Sequence, residues 1–436
     1  FIRGVEDNLT ISNCNFTYSA TTGIKVDDYY VSFSEPEISN CTLTNNNSTG
    51  IACSDPDSKP VISDCTIQDN GNYALSVYAD NIKDITGSMV ISGNTNNVIY
   101  VYSENIGTGT WLNHNVPYII GGDVNVNNSD TLTIVAGNMI KFESSRRLRV
   151  YGAIIADGTN TERITFTSNA ATPAQGDWYN IYINSPESMC LLDYCDISYG
   201  GKSDGNIYIK GAGDKLTISN CNIEYSGDEG IYINDYYASA SRPVITNCNI
   251  SNNSNIGIYC YQNVSDPVIS DCTIENNGNY AIRTFADNIK DITGSMVFSG
   301  NVKNSIWVGG DNITTATWSN FGIPYVIDGN ITVVDNETLT ITPGDTLSFN
   351  EDTRLTINGA LIADGNSSEH IVFTSNLSTP SPGDWYFVYF DKPDSNCLLD
   401  YCDISYGGKS SGNINIKGAG DKLTISNCNI EYSGDE

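Results

Sequence analysis

Three kinds of side chain in this sequence could carry chemistry, and each recurs at a fixed spacing. Cysteine closes the motif Ile-Ser-Asn/Asp-Cys at Cys14, Cys41 and Cys65, with gaps of 27 and 24 residues. It returns at Cys195, Cys221, Cys248 and Cys272 with gaps of 26, 27 and 24, and again at Cys402 and Cys428. Thiols can bond to one another, hold soft metals or act in redox steps. Carboxylates form a second set. Asp193, Asp196, Asp214 and Asp228 recur as Asp400, Asp403, Asp421 and Asp435, and Asp80 and Asp84 recur as Asp287 and Asp291. With turn carbonyls such groups are what Ca²⁺ takes. A solvated acidic face with turn-forming Asp is the plainer reading and the one adopted. The third set is cationic: Arg146, Arg147 and Arg149, whose counterparts 207 residues on are Thr353, Arg354 and Thr356. Only one Arg is kept, so no base is assigned.

The two histidines narrow the chemistry further. His114 and His370 correspond to Phe321 and Arg163, so neither is shared between copies, and each is read as a surface residue. A Ser-His-Asp or Cys-His site is not expected. With no CxxC pair, neither is a structural zinc site. Tyr29-Tyr30, recurring as Tyr236-Tyr237, and Trp178, recurring as Trp385, could stack on sugars, although packing is the favoured role for each.

These residues must be positioned by a repeat. Leu191–Glu229 returns almost unchanged as Leu398–Glu436, and DNIKDITGSMV starts at both Asp80 and Asp287. Each offset is 207 residues. The expected organisation is therefore one repeat over 1–207, a second over 208–414 and the start of a third over 415–436, cut from a longer tandem array. The odd total of 13 cysteines then follows from where the chain is cut.

Composition excludes several partners. Lys plus Arg number 21 against 51 Asp plus Glu, a net charge of −30. That disfavours neutralising nucleic-acid phosphates or binding anionic membranes. No apolar run is long enough to span a membrane. Aromatics at 10% argue against a disordered acidic chain.

Short alternating runs separated by Asn, Gly, Asp and Ser read as strands and turns. A motif returning about every 25 residues in one orientation points to the coil of a parallel solenoid rather than to hairpins. Pro36, Pro60, Pro243 and Pro267 mark strand entrances. Ile-x-Asn-Cys-x-Ile, a polar gap and then Gly23-Ile24, Gly50-Ile51, Gly230-Ile231 or Gly257-Ile258 resembles the right-handed parallel β-helix repeat of pectin-lyase-like proteins. The resemblance extends to the large secreted or cell-surface tandem-repeat proteins of bacteria and archaea. It implies an all-β fold, a right-handed parallel β-helix with coils of 24–27 residues. That fold carries both enzymes and scaffolds.

On this fold the cysteines read first as an interior ladder of small apolar side chains: Cys14, Cys41, Cys65, Cys195, Cys221, Cys248, Cys272, Cys402 and Cys428. Disulfides between adjacent coils, or a local one between Cys190 and Cys195, are the second reading. A metal or redox chain finds no support in the spacing. The functional expectation is a structural, extracellular or cell-surface repeat protein, a fibre, sheath, surface layer or stalk that assembles with its own kind. It is not expected to be an enzyme and requires no cofactor, with Ca²⁺ the one candidate ion. The alternatives are a carbohydrate-binding or polysaccharide-degrading β-helix, and the spacer of an adhesin.

Overall fold

The computed structural model describes residues 1–4, 9–28 and 33–435. The chain divides into two units, Phe1–Asp228 and Glu229–Glu436. In each, strands of two to seven residues pair in parallel with strands one coil away.

The first unit opens with three strands per coil. Thr10–Ser12, Glu37–Ser39, Val61–Ser63 and Ile85–Thr86 form one sheet. Asn15–Thr17, Thr42–Thr44, Thr66–Gln68 and Val90–Ser92 form a second. A third runs from Ile24–Val26 through Tyr73–Tyr78, Asn96–Tyr102, Tyr118–Ile120 and Met139–Phe142 to Asn222–Glu224. From Glu104 onward two new sheets accompany the third, beginning at Glu104–Ile106 and Gly109–Trp111. Ile11, Ile38 and Ile62 are directly paired, so identical side chains stack coil upon coil. The coil is more variable than the spacing of cysteines implies. Ile99 pairs with Tyr118, 19 residues on, and Ile155 with Leu191, 36 residues on. Extra residues leave the stack as loops, as around Asn169–Asp177.

Local chemistry explains the corners. Asn13, Asn40 and Asp64 adopt φ of 56°, 52° and 52°, and Asn220, Asn247 and Asp271 do the same. This left-handed region is one that Asn and Asp tolerate, and it turns the chain between two adjoining strands. The Cys that follows points inward. A second corner, at Asn45, Asp69, Asn252 and Asn276, also has positive φ. The next residue is a buried Asn: Asn46, Asn70, Asn253 and Asn277. These side chains form amide columns. Asn46 Nδ2 donates to Asn70 Oδ1 at 2.8 Å, and Asn70 Nδ2 to Asn94 Oδ1 at 2.8 Å. In the second unit Asn253 donates to Asn277 and Asn277 to Asn301, both at 2.9 Å. Each amide also bonds to backbone, as Asn70 Nδ2 does to Leu43 O at 3.0 Å. The Gly-Ile motif has a steric cause: a Cβ on Gly257 would lie 2.5 Å from Ile274 Cγ2.

The second unit uses the same devices. Ile231–Ile233, Ile258–Cys260 and Tyr280–Phe285 begin its longest sheet, which continues to Asn429–Glu431. Among the described residues helical structure is confined to two short 3₁₀ turns, Ala79–Asp84 and Ala286–Asp291, built by the repeated ADNIKD segment. Among the described residues no helix is long and apolar enough to cross a membrane. Trp178 and Trp385 are 0% exposed, stacked on Phe142 and Phe349 at 4.1 and 4.2 Å. Their indole N–H groups donate to Ser198 O and Ser405 O. They are core, not sugar platforms.

The amide columns yield a test. Asn70→Ala or Asn277→Ala removes a buried link and strands the amides on both sides, which should cost about 1–3 kcal/mol each. Guanidinium unfolding of the full chain should show this loss, whereas exposed Asn96→Ala should change little.

Candidate functional site

All nine ladder cysteines occupy the corner after a positive-φ residue or its equivalent. Each thiol donates to the carbonyl two residues back, from 3.0 Å at Cys428 to 3.5 Å at Cys402. Seven of the nine are buried; Cys14 is exposed and Cys428 half-buried. No disulfide joins any of the 13 cysteines, the Cys190 and Cys195 pair included. Burial pushes the Cys65 thiol up to about 11, so this group is a poor nucleophile at neutral pH.

The repeated carboxylates turn out to be staples between coils. Asp193 accepts from Ser219 Oγ at 2.6 Å and Asn220 Nδ2 at 2.7 Å, and Asp400 does the same with Ser426 and Asn427. Asp80 is part-buried, which opposes its charge, but Lys83 at 2.7 Å and the Gly107 N–H hold its carboxyl below the usual range. Asp287 repeats this with Lys290 at 2.6 Å and Thr314. Burial raises Asp84 and Asp291. Asp214 and Asp421 are exposed. Among the described residues no group of three or more His, Cys, Asp or Glu is arranged to hold a metal ion.

One expectation for histidine needs correction. His114 is 5% exposed, not on the surface, and its Nε2 lies 3.2 Å from Ile85 O. Burial lowers its pKa. Its counterpart Phe321 is half-buried, so both copies place a neutral ring at this position. His370 is part-buried, its Nδ1 3.1 Å from both Asp403 oxygens. Arg163, its counterpart, binds Asp196 at 2.7 Å. The residue type changes between copies while the partner is kept. Spacing alone hid this because Asp196 lies 33 residues away.

Among the described residues one constellation occurs only in the first unit. Arg146 lies between two open depressions. One, of about 480 Å³, is lined by Glu143, Ser168, Asn169 and Asp177. The other is lined by Tyr78, Tyr102, Gly121, Gly122 and Asp123. The residues come from the ends of successive strands of the third sheet, so they share an edge although 99 residues separate Tyr78 from Asp177. Tyr100 stacks on Tyr73 at 4.7 Å and donates its hydroxyl to Glu143 Oε2 at 3.3 Å. Burial and the Glu143 charge push the Tyr100 phenol up to about 12. Gly121 leaves room for that ring, since a Cβ there would collide with Tyr100 Oη. Arg147 lies 3.9 Å over Tyr179, and Arg149 binds Asp123 at 3.0 Å. Arg146 Nε has no hydrogen-bond partner. The groove thus offers stacking faces, a guanidinium and flanking carboxylates. Sequence reasoning noticed the Arg cluster but not the rings and acids that join it.

A family model described as the right-handed β-helix region matches residues 2–146 and 122–321. The chain belongs to that family. No curated protein and no solved structure matches it. Within this β-helix Tyr236 and Tyr237 are exposed, Tyr237 at 89%, with their hydroxyls 2.9 Å apart. Tyr29 and Tyr30 lie outside the described residues.

Four buried acids among the described residues were not anticipated: Asp28, Glu229, Asp235 and Asp345. Asp345 is 1% exposed, with Oδ1 unpartnered and Oδ2 bonded to Thr342 Oγ1 at 3.0 Å. Burial raises its carboxyl to about 7. The folded state therefore binds a proton more tightly than the unfolded chain, and stability should fall as pH rises from about 4 through 7. In the first unit this place is Asn138, whose amide donates to Trp111 O and Val135 O. Asp345→Asn should abolish that part of the pH dependence and be most stabilising above pH 7. Thermal melts from pH 4 to 8 would show it as a gap between variant and parent that widens with pH.

Proposed function

We propose that this β-helix is a structural protein of the cell exterior, a repeating segment of a fibre, sheath, surface layer or stalk, acting without turnover and assembling with its own kind. The observation that carries the reading is the stacking of identical side chains in the interior, Asn on Asn and Ile on Ile, in both units. Such columns favour adding another coil of the same kind, and the acidic surface keeps the material soluble or lets cations bridge it. Electron microscopy of native surface or secreted material tests it. Filaments or sheets whose units rise on the order of 40 Å, from about eight coils at roughly 4.8 Å each, are expected. Discrete particles without that rise would overturn it.

The groove around Arg146 favours a second reading, recognition of an acidic saccharide by the first unit. Aromatic faces suit sugar rings, and the Arg146 donors suit a carboxylate. Titration with polygalacturonate should show at least tenfold weaker binding for Arg146→Ala and for Tyr102→Ala. Thr353→Ala, at the corresponding place in the second unit, should bind like the parent. Equal binding by all variants would discard this reading.

A further inference from the structure

The chain holds fourteen Asn-x-Ser/Thr triplets. On a surface loop of a secreted protein this pattern accepts an N-linked glycan. The fold sorts them sharply. Asn8 lies outside the described residues. Asn46 donates both amide protons in the interior, to Phe16 O at 3.2 Å and Asn70 Oδ1 at 2.8 Å. The triplet at Asn263 ends on Ser265, which is 0% exposed and donates to Asp235. Those at Asn312 and Asn330 turn their middle residues, Ile313 and Ile331, into the core. Asn366 is pinned in a tight turn, exchanging backbone hydrogen bonds with Glu369 at 3.2 and 3.1 Å. Among the described residues only the triplet Asn376-Leu377-Ser378 has all three members exposed.

This triplet opens a loop that leaves the stack after the strand Ile371–Ser375 and returns at buried Trp385. One carboxylate clamps its feet: Asp384 Oδ2 accepts from Ser375 Oγ at 2.7 Å and from Ser381 N at 2.9 Å. Between them residues 378–380 make no hydrogen bond to other described residues. Asn376 Nδ2 keeps an exposed partner, Asn350 Oδ1 at 2.7 Å. Residues 375–383 carry no charge in a chain of net charge −30, so the loop itself adds no repulsion toward an anionic sugar donor. The first unit repeats the clamp, with Ser168 Oγ and Ala174 N on Asp177 Oδ2 at 2.6 and 2.9 Å. There Asn169 is followed by Ala170 and Ala171, so the scaffold is kept and the hydroxyl is absent. Exposed loops on a rigid scaffold are where functional residues concentrate.

We propose that Asn376 is the acceptor of an N-linked glycan, an inference that rests on the cell-exterior reading above. The donor class is a glycosyl diphosphate. Asn376 Nδ2 forms a bond to the anomeric carbon of the sugar, and the carbon–oxygen bond to phosphate breaks. The diphosphate leaves with the bonding electrons, and the amide proton passes to a base of the transferring enzyme. Ser378 supplies the hydroxyl that completes the recognised triplet. The free loop tip lets the triplet be drawn out without opening a coil.

The folded full chain, incubated with a soluble asparagine glucosyltransferase and UDP-glucose, tests the acceptor. Peptide mapping by mass spectrometry should place the added hexose on Asn376 and leave Asn312, Asn330 and Asn366 bare. Asn376→Gln and Ser378→Ala should lose it, and Ser378→Thr should keep it. Ala171→Ser should gain a hexose on Asn169. Transfer to Asn312, Asn330 or Asn366 in preference to Asn376, no transfer to the folded parent, or no gain by Ala171→Ser would each overturn the proposal. Glycopeptide mapping of native material then separates this inference from the reading beneath it. A glycan on Asn376 is expected. Protein recovered from the cell surface or the medium with Asn376 bare would overturn the inference and leave the exterior reading standing. Recovery from the cell interior alone would overturn both.

Discussion

Everything in this β-helix depends on one constraint: the backbone N–H and C=O groups of a coil lie along the stack and are met by the coils on either side. A strand of three residues cannot hold a sheet alone. It persists because its partners repeat its direction and register, as Ile11, Ile38 and Ile62 do. The same dependence governs the core. Val388 and Phe390, with a coil on each side, are 0% exposed, while Ile416, paired with Phe390 in the next coil, is 52% exposed. Burial of apolar area is thus shared between neighbours rather than owned by one coil.

Polar groups satisfy the same rule. Asn is ordinarily a turn residue, and at positions 13, 40 and 45 it is one. At 46 and 70 the same residue type is interior, and its amide takes over hydrogen bonding that the corner denies to the backbone. Asp193 and Asp400 do similar work on the surface, tying Ser and Asn of the following coil. The acidity of the chain therefore has a local component, since part of it is committed to hydrogen bonds between coils.

Legibility of the sequence followed the range of the interactions. The corner motif Asn13-Cys14 and its repeats are local, and with the Gly-Ile pairs they were enough to read a parallel solenoid. The interior Asn column was not readable, because Asn45 and Asn46 are adjacent identical letters with opposite fates, decided by which one takes positive φ. The groove was not readable either. Tyr78, Tyr102, Asp123, Glu143 and Arg146 come from four successive coils, and variable coil length conceals which of them are neighbours. Divergence between copies was a clue with two meanings. At Arg163 and His370 it preserved a contact, and at Arg146 and Thr353 it exchanged a guanidinium for a hydroxyl.

The first unit contains its own control on how sequence is assigned to a sheet. Leu9–Cys14 and Leu216–Cys221 share the residues LTISNC. The strand after the first, Asn15–Thr17, lies in the second sheet; the strand after the other, Asn222–Glu224, lies in the third. Twenty-five strands separate the two, and a coil holds three. A segment's facing is therefore set by how many strands precede it, like a hand on a dial, and not by its own residues. Inserting or deleting a single strand would leave every nearby contact type intact yet re-aim all that follows by about a third of a circuit. Length changes in whole coils are silent in this respect, whereas changes of one strand would redirect an entire surface.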